Sequence, residues 1–205
     1  NHLNWDGNTV PNPLDDVVIA NTIPYPIANV AITVDQLTVA AGATLTLNGQ
    51  TVTTTGDFTN NGRVRFNGGE SLTGTRVNGP GSTVAYYGAS TPIWGTSYVN
   101  LDVNANVTAA SDLDVNGTLT LSAGELALAA HGLTIAGDVT KTNGRITSSG
   151  TITFDGGAAQ SVDLADGVNN SSVANITVDN TNGVTLSNDA TFTWSGNATV
   201  TSGTL

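Results

Sequence analysis

Between residues 113 and 154 the apolar side chains come in short pairs separated by one residue: Leu113/Val115, Leu119/Leu121, Leu126/Leu128, Leu133/Ile135 and Ile152/Phe154, with Val139 and Ile146 as single members of the series. Successive starts step by 6, 7, 7, 6, 7 and 6 residues. In extended chain, residues i and i+2 face the same way, so each pair predicts a very short strand with two inward side chains. Turn formers separate the pairs, among them seven Asn-Gly dipeptides beginning at Asn48, Asn61, Asn67, Asn78, Asn116, Asn143 and Asn182. Asn-Gly ordinarily signals a two-residue hairpin, but strands this short would then form a meander with little core. Three strand-plus-corner steps instead sum to 19 or 20 residues, one circuit of a three-sided parallel coil with Asn and Gly supplying left-handed backbone at its corners.

On this reading 113 stacks under 133, 119 under 139 and 126 under 146, and the interior becomes a continuous ladder. The expected fold is all-β, a right-handed parallel β-solenoid of about 19–20 residues per coil. About ten coils at roughly 4.8 Å each would make a rod on the order of 50 Å long. The alternative is an antiparallel β-sandwich, which needs longer strands at a spacing of about 8 to 12 residues.

A longer period overlies the short one. "AGATLTLNGQTVTTTGDFTNNGRV" (41–64) lies over "AGELALAAHGLTIAGDVTKTNGRI" (123–146), placing Leu45 on Leu126, Leu47 on Leu128 and Arg63 on Arg145 with one inserted residue. "STVAYYG" (82–88) likewise falls on "GTITFDG" (150–156), and "NLDV" (100–103) on "NITV" (175–178). These matches predict superrepeats of about 80 residues, read as four coils each. The expected organisation is an N-terminal cap over residues 1–29 and a solenoid over 30–205. The final "GNATVTSGTL" stops at the point equivalent to "GTLTLSAGEL", inside a superrepeat. An open coil there predicts either more solenoid or docking of another molecule by strand addition.

Composition narrows the partners. Of the 205 residues only 10 % are charged, and 16 acidic against 5 basic residues give a net charge of −11. A nucleic-acid backbone or an anionic membrane surface would be repelled. No apolar run approaches the roughly 18 residues of a membrane-spanning helix, so membrane insertion is not expected. The absence of cysteine excludes disulfides and thiolate metal sites.

With "NWDGNTVPNPLDDVVI" (4–19), "GTLTLSAGELAL" (117–128) and "GDVTKTNGRITSSGTITFDGGAAQSV" (137–162) in view, the chain resembles the repeat-rich extracellular proteins of bacteria that carry parallel β-helix passengers. These are the filamentous-haemagglutinin-like and autotransporter adhesins. The resemblance covers nearly the whole chain. It implies an extracellular or cell-surface location and a cap role for Trp5, Val10, Pro11, Asp15 and Asp16; at the other end, the open coil makes Leu205 the candidate assembly residue.

No residue set calls for catalysis. Asp15 and Asp16 are adjacent in an extended segment and point to opposite faces, so they do not converge on a substrate. Arg63 and Arg145 occupy equivalent repeat positions, which predicts a structural contact rather than a unique catalytic one. His2 and His131 have no companion at ligand spacing. No cofactor is expected, although calcium at the acidic corners is left open.

"VAYYGASTPIWGTSY" (84–98) holds four of the eleven aromatics. Tyr86 falls on Phe154 and is expected in the core. Tyr87, Trp94 and Tyr98 are the candidate contacts for a surface glycan, the alternative being packing at an irregular corner. Six N-x-Ser/Thr sequons, at Asn106, Asn116, Asn169, Asn170, Asn175 and Asn197, are candidate glycosylation sites. Thr-x-Thr triplets raise ice binding, but their uneven spacing argues against one triplet on the same face of every coil. The expected function is therefore a non-enzymatic structural segment of a surface adhesin, sheath or fibre, with identical copies head-to-tail or further solenoid as partner. A carbohydrate-binding module is the alternative, and a solenoid polysaccharide lyase comes third.

Overall fold

In the computed structural model, residues 9–90, 94–165, 169–186 and 193–205 are described. Among the described residues the chain is all-β without a helix, and it builds a parallel β-solenoid of about nine turns from stacked sheets. It divides into two compact units, residues 1–82 and 83–205.

The first unit contains β1 (Asp16–Ile19), β2 (Ile32–Val34), β3 (Gln36–Val39), β4 (Thr44–Thr46), β5 (Thr51–Asn60), β6 (Arg63–Phe66) and β7 (Ser71–Asn78). β1, β3, the end of β5 and the end of β7 stack on one face, while β2, the start of β5 and the start of β7 stack on a second. β4 pairs with β6 on a third. β1 thus lies within the segment 1–29 and is itself a rung of the ladder, in register with β3.

The second unit contains β8 (Thr83–Tyr86), β9 (Ser97–Tyr98), β10 (Asn100–Asn104), β11 (Val107–Thr108), β12 (Leu113–Val115), β13 (Leu119–Ala123), β14 (Glu125–Ala129) and β15 (Leu133–Ile135). It continues with β16 (Val139–Lys141), β17 (Arg145–Phe154), β18 (Gln160–Val162), β19 (Ser172–Asn180), β20 (Val184–Leu186), β21 (Thr193–Trp194) and β22 (Ala198–Gly203). One face runs β8–β10–β13–β16–β18–β20. The second carries β11, β14 and the starts of β17 and β19, then β21. The third carries β9, β12, β15 and the ends of β17 and β19, then β22. Every strand pairing among the described residues is parallel, which rules out the antiparallel sandwich.

The stacks expected from spacing are present: Leu113 pairs with Leu133, Leu119 with Val139 and Leu126 with Ile146. Inward columns such as Val115–Ile135–Phe154–Val178 are fully buried. Removing each such side chain from water contributes about 2 kcal/mol. Coil length is less uniform than the spacing predicts. Register partners lie 18 residues apart at Leu101/Leu119, 20 at Leu113/Leu133 and 24 at Ile152/Ile176. The corners absorb the difference. Asn48 (φ 52°) and Ala129 (φ 50°) mark two of them, each directly after a buried leucine, Leu47 or Leu128, whose carbonyl accepts the N–H of Gln50 or His131. Asn tolerates that left-handed backbone better than Ala.

The reading of the long repeat as four whole coils does not hold. Leu101 lies on the β10 face, whereas its repeat partner Ile176 lies on the face that carries β15 and β22. All three faces ask for the same inward i, i+2 pattern, so a repeated motif can occupy any of them.

Candidate functional surfaces

The aromatic stretch was the leading candidate for ligand contact, and two of its three members are interior. Trp94 is 2 % exposed and Tyr98 1 %, which leaves only the half-buried Tyr87 facing outward. Tyr86 is fully buried, as its alignment with Phe154 predicts. A chain of hydrogen bonds ties the cluster. Trp94 N–H donates to the Tyr86 hydroxyl (3.3 Å), the two tyrosine hydroxyls meet at 3.3 Å, and Tyr98 O–H donates to the Gly95 carbonyl (2.7 Å). Each donor in such a chain polarises the next. Trp94 and Tyr98 therefore pack into the corner and present no open face on which a sugar ring could stack.

Several corners are plugged by buried polar side chains that sequence reasoning passed over. The Glu70 carboxylate, 7 % exposed, accepts from Gly49 N–H (2.8 Å), Asn67 N–H (2.6 Å) and Gly68 N–H (2.8 Å). Gln160 accepts from Gly156 N–H (3.0 Å) and donates to the carbonyls of Ile135 (3.0 Å) and Gly137 (2.7 Å). The buried Asn180 amide donates to Gln160 Oε1 (2.8 Å) and the Ala158 carbonyl (2.7 Å), while its own oxygen accepts Asn182 N–H (2.9 Å). Buried amides and carboxylates with their capacity filled are structural. The signal available in the sequence was a lone acid directly after a double-glycine turn, "NGGE".

Several acidic residues in the described chain, Asp15, Asp112 and Glu125 among them, act as local caps and ladder partners. Asp15 accepts from the backbone N–H and side-chain amide of Asn12, both at 2.8 Å, whereas Asp16 is exposed at the start of β1. Asp112 accepts Gly132 N–H at 2.7 Å one coil on, with His131 Nδ1 3.7 Å from the same oxygen. Glu125 pairs with Arg145 one coil on and accepts from Thr147 Oγ1 at 2.6 Å. The Thr147 hydrogen bond, aided by Arg145 and opposed by partial burial, holds the Glu125 carboxyl below the usual carboxylate range. Asp155 is shifted the other way, first by desolvation and then by repulsion from Asp114 and Asp179. Among the described residues no group of three or more acidic or histidine side chains is placed to hold a metal ion.

An outward column of single threonines appears, although no Thr-x-Thr triplet repeats on every coil. Thr134, Thr153, Thr177 and Thr199 stand in register on successive coils, because the corners take up the spare residues.

Of the sequon asparagines, Asn106 and Asn197 are exposed and Asn169 and Asn170 half-buried. The Asn116 amide is engaged, donating to Asp114 Oδ2 (2.9 Å), Ser97 Oγ (3.3 Å) and the Tyr98 carbonyl (3.4 Å). Half-buried Asn175 turns its oxygen to Asn197 N–H at 3.0 Å. Trp5 and His2 lie outside the described residues.

The last rung differs from all these. β21 and β22 each pair with β19, and Trp194, Val200 and Leu205 are 43 %, 49 % and 48 % exposed. No protein-family model, curated protein or solved structure matches the chain.

Proposed function

We propose that this chain is a non-enzymatic structural segment of an extracellular or cell-surface protein: a β-solenoid that spaces, stacks and displays, as part of an adhesin, sheath or fibre. The observation that carries this reading is the last rung. Elsewhere in the second unit an inward side chain such as Ile152 or Val115 rests on a counterpart and is lost to water, whereas Val200 stays half exposed beside the outer edge of β22. A strand edge next to apolar surface is a template for another strand.

A parallel rung, from an identical copy stacked head-to-tail or from further solenoid, completes that ladder. A head-to-tail contact of this kind is heterologous and extends into fibres instead of closing into rings. The acidic surface keeps such rods apart sideways, which favours growth along one axis.

Electron microscopy and light scattering over a concentration series test the reading, with Val200→Lys alongside. Rods that lengthen with concentration for the unaltered chain and stay short for Val200→Lys support it. Discrete particles of one size at every concentration would overturn head-to-tail assembly.

A further inference from the structure

The seven Asn-Gly dipeptides are also seven places where a backbone can react with its own side chain. The glycine amide nitrogen can attack the asparagine Cγ, and the flexible glycine offers that attack no side-chain obstruction. Attack requires the N–H to be released from any hydrogen bond it makes.

Six of the seven glycines hold that bond. Gly49 and Gly68 donate to Glu70 (both 2.8 Å), and Gly62 donates to Asn60 Oδ1 (3.1 Å). Gly79 donates to the Asn60 carbonyl (2.7 Å), Gly144 to the Leu121 carbonyl (3.1 Å) and Gly183 to the Asn180 carbonyl (3.0 Å). Gly117 is the exception. Its carbonyl accepts from Gly137 N–H at 3.1 Å, but among the described residues its own N–H donates no hydrogen bond. The contrast with Gly196 is direct. That glycine, in a similar turn beside Asn175 but at a different corner of the coil, donates to the Ala174 carbonyl at 2.8 Å.

We propose that Asn116–Gly117 is a self-modification site, the Asn-Gly pair that converts first to aspartate and isoaspartate in the folded protein. The Gly117 nitrogen gives up its proton to water and bonds to Asn116 Cγ. The Cγ–Nδ2 bond breaks and Nδ2, held by Asp114 Oδ2 at 2.9 Å, takes a proton back from water and leaves as ammonia. One water then opens the five-membered ring at either carbonyl, giving aspartate or isoaspartate. No oxidant or cofactor is consumed.

The product changes the corner. An acceptor-only carboxylate replaces the amide that donated to Asp114, Ser97 and the Tyr98 carbonyl, so two carboxylates face each other, Asp114 on β12 and residue 116 directly after that strand. The isoaspartate form also lengthens the backbone by one carbon between β12 and β13. A long-lived surface protein would thus carry a chemical record of its age at one named corner.

The test is incubation of the full chain in mildly alkaline buffer, with isoaspartate located by peptide mapping and mass spectrometry at each of the seven pairs. Conversion at Asn116 should outpace the other six by about fivefold, the ratio that one ordinary net hydrogen bond supplies. In strong denaturant the seven rates should draw together, and Asn116→Gln should abolish the signal at that position. Conversion as fast at any other pair in the folded chain, or a spread of rates that denaturant leaves unchanged, would overturn the proposal.

Discussion

The two units share one interior logic and differ in where they put charge. Residues 1–82 hold six acidic and three basic side chains, and residues 83–205 hold ten and two. In the first unit a carboxylate, Glu70, is buried in a corner and satisfied by three backbone N–H groups. The second unit plugs a comparable corner with neutral amides, Gln160 and Asn180, and sends Asp114, Asp155 and Asp179 outward, while its own buried carboxylate, Asp102, sits on strand β10 and accepts from Ser122 Oγ at 2.8 Å. The inward ladder tolerates either arrangement because alternation keeps the outer and corner positions separate from it. Charge placement is thus free to differ between units that fold alike.

The largest effect that would break this comparison comes from the interior. Phe58 in the first unit and Phe154 in the second are both buried, and Phe→Ala at either should cost about 4 kcal/mol in denaturant unfolding. Amide hydrogen exchange should show protection falling first within the altered unit; an even loss across both would refute the division. Next in size is Glu70→Ala, which strands three N–H groups and should cost about 3 kcal/mol. Glu70→Gln, retaining one acceptor, should recover part of that loss, and an unchanged melting curve for Glu70→Ala would show that the carboxylate is dispensable.

The smallest effect is the most specific. Folded Asp155 holds its proton more tightly than the unfolded chain does, so its charge lowers stability at neutral pH, and that penalty disappears as pH falls through its raised pKa. Glu125 runs the opposite way. It stabilises above the ordinary carboxylate range, and the gain is lost as pH falls through its lowered pKa. Asp155→Asn should therefore raise the melting temperature by about 1 °C at neutral pH, with the gain vanishing at about pH 3. A pH-independent difference would show that charge is not its cause.

The ladder was legible in the sequence because it depends on a local rule. Leu113, Leu119 and Leu126 each met the predicted partner since alternation and coil length are both written in the spacing. What lay in the corners was not. Nothing local distinguishes Trp94 and Tyr98 folded inward from the same rings turned outward, since neither has an aromatic repeat partner. The threonine column from 134 to 199 was hidden for the converse reason: variable corners restore a register that counting residues loses. Glu70, Gln160 and Asn180 read as ordinary polar residues until the backbone groups they serve come into view.

The scatter of long-repeat partners over different faces has an evolutionary consequence. A chain that asks each side only for two apolar letters and a turn can be lengthened by copying almost any stretch of its gene. The copy need not be cut to whole turns, because whichever side it starts on will accept it. Growth by sloppy duplication, ruinous to folds whose parts have unique neighbours, is here an ordinary way to make the molecule longer.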